Sequence, residues 1–482
     1  MVSKKIALNN GIVMCSFFLK CDRFSTMNEN QQYLKMTQTP VSSLIPRLAV
    51  PTIVSMLVSS IYNMADTYFV SQIGTSASAA VGVVFSIMAI IQAVGFTIGM
   101  GGGILASRSL GAKDKDRADT MVTISFFFSL LFGVLLSILG IVFNDNIMRM
   151  LGATETILPY AKAYSIYIFL ACPFMIGSYV LNNVLRSEGK AFYAMVGITT
   201  GGVLNIALDP LFIFVFGLGT AGAAIATAIS QIIGFIILLM AFITGKSEAE
   251  IVVSKIKTFK PSILIAIIKT GLPSLARQGL ASIATILLNV TAAAYGDAAI
   301  AAMSITGRVT FFIFSALLGF GQGFQPVCAY NWGAGKYDRV RKASVFTAKI
   351  GTIIITCLSV FTYVFAPSII KAFISNDPMV LEVGIVALRA QSLLLPFCGI
   401  NVTTNMALQG TSHVASATFL AMCRQGIFYI PSILILPRIL GITGVEISQP
   451  VADTLTFIVS AFLFSSFLKE CKKKSKEEIS KN

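Results

Sequence analysis

The chain has 482 residues, of which 55% are hydrophobic and only 12% are charged, and its formal net charge is +15 at pH 7. Since a soluble domain usually carries about 25% charged residues, this composition argues against a water-soluble globule. The charge-free stretches 121–143 and 225–243 are long enough to cross roughly 30 Å of hydrocarbon. They are apolar on every side, whereas barrel strands alternate apolar and polar residues. The sequence therefore predicts an all-α polytopic membrane protein.

The positive charge is concentrated in alternate connections between apolar segments, which argues against nucleic-acid binding. These connections and the tail hold most of the basic residues: Arg108, Lys113, Lys115, Arg117, Arg186, Lys190, Lys246, Lys255, Lys257, Lys260, Lys336, Arg339, Arg341, Lys342, Lys469, Lys472, Lys473, Lys474 and Lys476. The main exceptions are Arg149, Lys371 and Arg438. This pattern follows the positive-inside rule, which places both termini in the cytoplasm and requires an even number of spans.

Twelve spans are predicted, six in each half. In chain order they are 46–72, 79–107, 120–143, 158–184, 191–216, 221–244, 262–295, 299–330, 344–367, 381–408, 413–436 and 443–468. The predicted regions are an N-terminal cytoplasmic extension (1–43), an N-lobe (44–245), a cytoplasmic linker (246–261), a C-lobe (262–468) and a basic cytoplasmic tail (469–482). The N-terminal extension lacks the pattern of a signal peptide. Met27 opens a polar stretch that resembles a natural start, so residues 1–26 are either a translation artefact or a real extension.

The two halves repeat at one fixed offset in residue number, which we call the repeat offset. It is the offset that takes Pro51 to Pro273 and Gly111 to Gly333. Further pairs related by it are Gly74 with Gly296, Gly99 with Gly321, Gly101 with Gly323, Asp116 with Asp338, Arg117 with Arg339, Gly219 with Gly441, and Gly222 with Gly444. Each half holds an even number of spans, so the repeats are parallel and related by an axis near the membrane normal. Transporters use such a pair of lobes for alternating access.

Ionisable groups inside spans are candidate functional groups, because burying them in hydrocarbon costs free energy. Asp66 lies near the outer end of the first span. Asn205 and Asp209 are four residues apart in the fifth span and project from one helix face. Pro210 cannot donate to the carbonyl of Ile206, which leaves a further oxygen acceptor beside that face. Such oxygens suit Na⁺, and a carboxylate that has lost its water also holds a proton more readily; the alternative is an aspartate that only braces helices.

The second half does not repeat these acids, since Leu288 stands at the position equivalent to Asp66. Its charges within spans are mainly Arg277, Arg308, Arg424 and Asp453. Arg308 and Asp453 are candidate gate or bracing residues. Arg277 and Arg424 are expected near the cytoplasmic ends of their helices, where they would snorkel.

Other functional classes find little support in the sequence. The eight cysteines are scattered without a Cys-x-x-Cys pair, and His413 is the one histidine, so a disulfide framework and a histidine-based metal centre are not expected. Ser-His-Asp sets and paired acidic motifs within the spans are missing as well, which argues against an enzyme. A channel is not expected either, because a short selectivity loop is lacking.

Several motifs resemble those of multidrug and toxic compound extrusion (MATE) transporters. They are Asp66–Val70, Ser109–Ala112, Leu185–Lys190, Asn205–Phe214, Gly321–Pro326 and Tyr330–Ala334. The resemblance covers the chain from about Leu44 to Leu468, and it is strongest to the bacterial branch of DinF-like and MepA-like pumps. It implies an antiporter of the bacterial cytoplasmic (inner) membrane, and a monomer is expected. Such a protein exports amphiphilic, often cationic drugs in exchange for H⁺ or Na⁺ and needs no cofactor beyond that ion.

The resemblance also implies a site in the N-lobe. Its coupling residues map onto Asp66, Asn205, Asp209 and Thr227, which would be the ligands of Na⁺ if sodium is the coupling ion. Pro51 matches the proline at which the first helix bends.

Two features of the second half point elsewhere. The other large branch of the family carries an acidic residue in the seventh span, where this chain has Arg277 and Gln278, so a cation site in the C-lobe is not expected. The rival interpretation is a flippase for a lipid-linked oligosaccharide or peptidoglycan precursor of the same superfold. Arginines in the cavity of such a protein hold pyrophosphate, and Arg277, Arg308 and Arg424 are candidates for that role.

Overall fold

The computed structural model describes residues 29–374 and 377–480, so the alternatives for residues 1–26 lie outside the described part of the chain. The helices of the first half are α1 (Glu29–Gln38), α2 (Val41–Ser71), α3 (Thr75–Gly111), α4 (Lys115–Val142), α5 (Asn144–Met150), α6 (Leu158–Ser187), α7 (Ala191–Pro210) and α8 (Gly219–Ile243). A π-helical turn, Leu211–Val215, extends α7. The helix therefore continues past Pro210, where an α-helical hydrogen bond is impossible because proline has no amide hydrogen.

A short 3₁₀ segment, Val253–Thr258, precedes the second half. Its helices are α9 (Pro261–Ala293), α10 (Asp297–Gly333), α11 (Tyr337–Phe373), α12 (Pro378–Leu394), α13 (Cys398–Gly410), α14 (Val414–Met422), α15 (Tyr429–Leu440) and α16 (Ile442–Ile479). A 3₁₀ turn joins α12 to α13, and a π-helical turn, Cys423–Ile427, joins α14 to α15. Each of these two pairs occupies one predicted span.

Eleven helical segments of the described chain are long and apolar enough to cross a membrane. The helix at the remaining predicted position is α9, which has 33 residues and is about 50 Å long at 1.5 Å per residue. Its apolar character is diluted by Lys269 and Arg277. The prediction of an all-α polytopic membrane protein is confirmed; among the described residues, eleven of the twelve predicted positions hold a helix of this kind, and α9 occupies the twelfth.

Several helices run beyond the predicted spans. α11 begins at Tyr337, although the span was predicted to begin at 344. The extra turns carry Arg339, Arg341 and Lys342. Hydropathy does not detect such turns, because it reports the apolar part of a helix and not its continuation into water.

The basic connections meet at one end of the helix bundle, which we call the basic end. There, the hydroxyl of Ser247 in the linker donates to Glu188 Oε2 (2.7 Å), which follows α6. The side chain of Asn331, near the end of α10, donates to the carbonyl oxygen of Met36 in α1 (3.0 Å). The linker and α1 therefore pack against the ends of the spanning helices.

The two lobes touch through α3 with α9 and α2 with α10. The approach is so close that a Cβ on Gly101 would lie 1.9 Å from the carbonyl oxygen of Ile267. At Gly323, which the repeat offset pairs with Gly101, a Cβ would lie 2.4 Å from the Cα of Ala49. These contacts lie in the half of each helix nearer the basic end, so the structure is closed at that end.

Candidate functional site

The fifth and sixth predicted spans bring three of the expected site residues into direct contact. Asn205 Nδ2 on α7 donates to Asp209 Oδ1 on the same helix (3.1 Å) and to Thr227 Oγ1 on α8 (3.2 Å). All three side chains are buried. The spacing of four residues places Asn205 and Asp209 on one face of α7, as the sequence predicted.

Asp66 reaches the same site from α2. α2 packs on α7, and the carboxylates of Asp66 and Asp209 are close enough to repel each other. Tyr164 on α6 is fully buried and lies beside both Asp66 and Thr227. The structure thus brings together the four residues named from the resemblance and adds Tyr164, which the sequence analysis missed.

The site offers oxygen atoms without a hydrogen-bond donor. Among the described residues, Asp66 Oδ1, Asn205 Oδ1 and Asp209 Oδ2 are buried and have no hydrogen-bond partner. Carboxylate and amide oxygens are hard ligands that suit Na⁺, and a carboxylate also accepts H⁺. These oxygens therefore form a ligand set that fits a small monovalent cation or a proton.

Pro51 lies in the half of α2 nearer the basic end. The helix runs without interruption through Pro51, and the hydroxyl of Ser55 donates to the Pro51 carbonyl oxygen (3.0 Å). Because Pro51 has no amide hydrogen, one backbone hydrogen bond is missing here and the helix is easier to bend. The side chain of Ser55 competes for the neighbouring carbonyl, which also loosens the backbone ladder.

The equivalent part of the C-lobe carries an internal ion pair. Arg424 Nε lies 2.7 Å from Asp453 Oδ1, and Gln449 Nε2 donates to the same oxygen (3.0 Å). The repeat offset pairs Gln449 with Thr227. Arg424 also lies 4.1 Å from the centre of the Phe314 ring. The C-lobe therefore contains its own cation, a guanidinium, where the N-lobe has free oxygens.

Three expectations about the arginines need comment. The expectation that Arg424 snorkels is wrong, because this residue lies in the π-helical turn between α14 and α15 and pairs with buried Asp453. The same expectation for Arg277 is wrong, since this residue lies in the middle of α9 and donates to Asn405 Oδ1 (3.5 Å). Arg308 lies on α10 with an exposed side chain, and Asp453 is paired with Arg424 instead.

The sequence signals for the missed residues were weak. Tyr164 is one of four tyrosines in its predicted span, with Tyr160, Tyr167 and Tyr179, and tyrosines are common where a helix meets both apolar and wet surroundings. Arg186 belonged to a motif that was assigned to a basic connection, yet its side chain is buried between the lobes. Neither position can be assigned to a site without knowing which helices surround it.

Known proteins resemble this chain over nearly its whole length. The MatE family model matches it twice, over residues 51–211 and 273–435, and the starts of the two matches are related by the repeat offset. The multidrug export protein MepA of Staphylococcus saprophyticus is 29% identical over 440 residues, which cover 90% of this chain and 96% of that protein.

Solved structures agree with this similarity. A crystal structure of MATE in complex with MaL6 has a TM-score of 0.87 and 27% identity, and covers 92% of this chain and 99% of that one. An outward-facing multidrug resistance MATE family transporter of the MOP superfamily has a TM-score of 0.86 and 27% identity, over 91% and 98% of the two chains. The two family matches fall in the two halves of this chain, and the TM-scores show that these structures share its fold.

Proposed function

Because the chain belongs to the MatE family of transporters, we propose that it exports amphiphilic, often cationic drugs from the cell in exchange for H⁺ or Na⁺. The relatives named multidrug export proteins support the first part of this proposal. The coupling part rests on one observation, the three buried oxygens of Asp66, Asn205 and Asp209 that lack a donor.

The coupling step follows from electrostatics. Asp66 and Asp209 repel each other when both are charged, so one bound cation or proton relieves that repulsion and stabilises closer packing of α2 against α7. Pro51, like Pro46, removes one backbone hydrogen bond from α2, so the helix bends more easily there. An ion at the N-lobe site and a drug in the cavity then favour different shapes of α2, which is the condition for coupling.

Alternating access is expected from the placement of the inter-lobe contacts. The basic end is proposed to face the cytoplasm under the positive-inside rule, and it is the end at which the lobes touch. The described conformation then corresponds to the outward-facing state. Return to the inward-facing state requires α3 to separate from α9 and α2 from α10, with the lobes rocking as two bodies.

The test is efflux of ethidium from proteoliposomes under an imposed pH gradient or, separately, a Na⁺ gradient. Asp209→Asn keeps the shape of the side chain and removes its charge, so gradient-driven efflux is expected to disappear. Asp145→Asn is the matched control, because Asp145 is partly exposed and paired with Arg149 outside the site. The gradient that drives efflux in the wild type identifies the ion.

Efflux that does not depend on either gradient, in both the wild type and Asp209→Asn, would contradict the proposed antiport. Transport of a lipid-linked precursor would then be measured in the same vesicles, as the flippase interpretation requires.

A further inference from the structure

A buried arginine links the two lobes without an acidic partner. Arg186 at the end of α6 is 3% exposed, and its guanidinium donates to Gln322 Oε1 on α10 (2.6 Å) and to Asn183 Oδ1. A third contact is with the sulfur of Met100 (3.0 Å). Among the described residues, no carboxylate lies within 4.0 Å of this guanidinium. Its positive charge is therefore solvated by neutral groups alone.

A second arginine lies close by on the C-lobe side. Arg277 lies on α9, which packs against α3, the helix that carries Met100, and its positive charge repels that of Arg186. Its hydrogen bond to Asn405 Oδ1 is long, at 3.5 Å. The described part of the chain supplies this guanidinium with no carboxylate either. Two cations thus share one region at the contact between the lobes.

The neighbouring amide adds a donor and no acceptor. Gln322 is completely buried, and its Nε2 has no hydrogen-bond partner among the described residues. The orientation of this amide is settled by chemistry, because Arg186 can only donate and must face the oxygen. The Nε2 group consequently presents unused hydrogen-bond donors within the cluster formed by Arg186, Arg277 and Gln322.

Arg186 is buried and Arg277 is partly buried, and withdrawing these charges from water without a carboxylate costs free energy that a bound anion would offset. We propose that Arg186, Arg277 and Gln322 bind the carboxylate of an amphiphilic substrate at the contact between the lobes. This inference rests on the proposed drug export and adds a subsite of opposite polarity to the N-lobe oxygens. Since Arg186 belongs to the N-lobe and the other two residues to the C-lobe, the anion is held only while the basic end is closed.

Two fluorescent probes that differ in one group test this site: rhodamine B, which has a free carboxylate, and its ethyl ester. Their binding to the purified full chain in detergent is measured by fluorescence polarisation, which does not depend on transport. The wild type is expected to bind the carboxylate dye more tightly. Arg277→Gln is expected to lower the affinity for the carboxylate dye roughly 10- to 100-fold, the usual size of one charged hydrogen bond. The affinity for the ester should fall less than about twofold.

The matched control is Arg438→Gln, an identical substitution at an exposed arginine in the last turn of α15. It should leave the affinity for both dyes unchanged. Arg277→Lys retains the charge and should recover part of the affinity for the carboxylate dye.

A second variant separates binding from folding. Gln322→Glu places a carboxylate beside Arg186, so the unfolding temperature should rise. The affinity for the carboxylate dye should fall, and the affinity for the ester should stay unchanged. A residue that only braces the lobes would not give this combination.

The inference is overturned if the wild type does not bind the carboxylate dye more tightly than the ester. It is also overturned if Arg277→Gln lowers the affinity for both dyes equally. Displacement of the dye by acetate at an equal concentration would also overturn it, because the site would then hold a free anion and not a substrate group. The ethidium assay tests drug export separately, and the dye affinities can be measured even if export is not observed.

Discussion

Gly111 and Gly333 occupy reciprocal positions in the contact between the lobes. A Cβ on Gly111 would lie 2.0 Å from the carbonyl oxygen of Tyr330, and a Cβ on Gly333 would lie 2.0 Å from that of Arg108. The repeat offset relates these two partners, as it relates the two glycines. The pseudo-twofold axis therefore passes through this contact. At each of the two glycines, the backbone of the opposite helix is too close for any side chain larger than a hydrogen atom.

Gly111→Ala is expected to push α3 away from α10 and weaken closure of the basic end by about 1–3 kcal/mol, the usual cost of overpacking. Labelling of a cysteine introduced at the contact, measured from the basic side, should become faster. Gly82→Ala on the same helix is the control, since a Cβ there meets nothing within 4 Å. Equal labelling rates in the two variants would contradict the role of this contact.

Tyr164→Phe removes one hydroxyl beside Asp66 and Thr227 and keeps the ring. If the hydroxyl helps to hold the transported cation, the concentration of ion that gives half-maximal efflux should rise, by up to about tenfold for one hydrogen bond. The maximal rate should fall much less. Tyr68→Phe on the exposed side of α2 provides the control. A change in maximal rate alone would assign Tyr164 to helix packing.

The ion pair between Arg424 and Asp453 should behave as a unit in a double-mutant cycle. Arg424→Met or Asp453→Leu alone leaves one buried charge unpaired, so each should destabilise the protein by about 3–5 kcal/mol. The double variant should recover most of that loss, because no charge remains. Thermal unfolding in detergent measures all four proteins, and additive losses would show that the two residues are not coupled.

Glu188 is the best-placed group for a pH effect outside the spans. Its carboxylate accepts from the Ser247 hydroxyl and from the backbone amides of Glu248 and Ala249. These donors and nearby Lys190 favour the charged form, yet burial raises the pKa of Glu188 from 4.5 to about 7. Glu248 and Tyr330 are titratable neighbours of Glu188 among the described residues.

Because this pKa is higher in the folded protein, the contribution to stability is present at low pH and lost as pH rises through about 7. The unfolding free energy should therefore increase between pH 7 and pH 4.5, by on the order of 3 kcal/mol. Glu188→Gln should abolish that slope, whereas Glu155→Gln, at an exposed residue paired with Arg149, should retain it. A wild type whose stability falls over the same interval would show that the hydrogen bonds outweigh burial.

The sequence predicted the residues of the N-lobe site but not all of their surroundings. Asn205 and Asp209 were placed on one face because four residues make about one helical turn, which is a local property. Thr227 was assigned to the site from the family resemblance alone. Its contact with Asn205 joins two different helices. Tyr164 was missed because nothing within its own helix distinguishes it.

The spans and the repeat were determined by the sequence itself. Bilayer thickness requires about twenty apolar residues for each crossing, and a duplicated fold leaves Pro and Gly at a fixed offset. The tertiary structure decided which buried charges meet. Arg424 contacts Asp453, 29 residues further along the chain, and Arg186 contacts Gln322, 136 residues further along. Helix packing sets the distance between such segments, and no local sequence pattern encodes it.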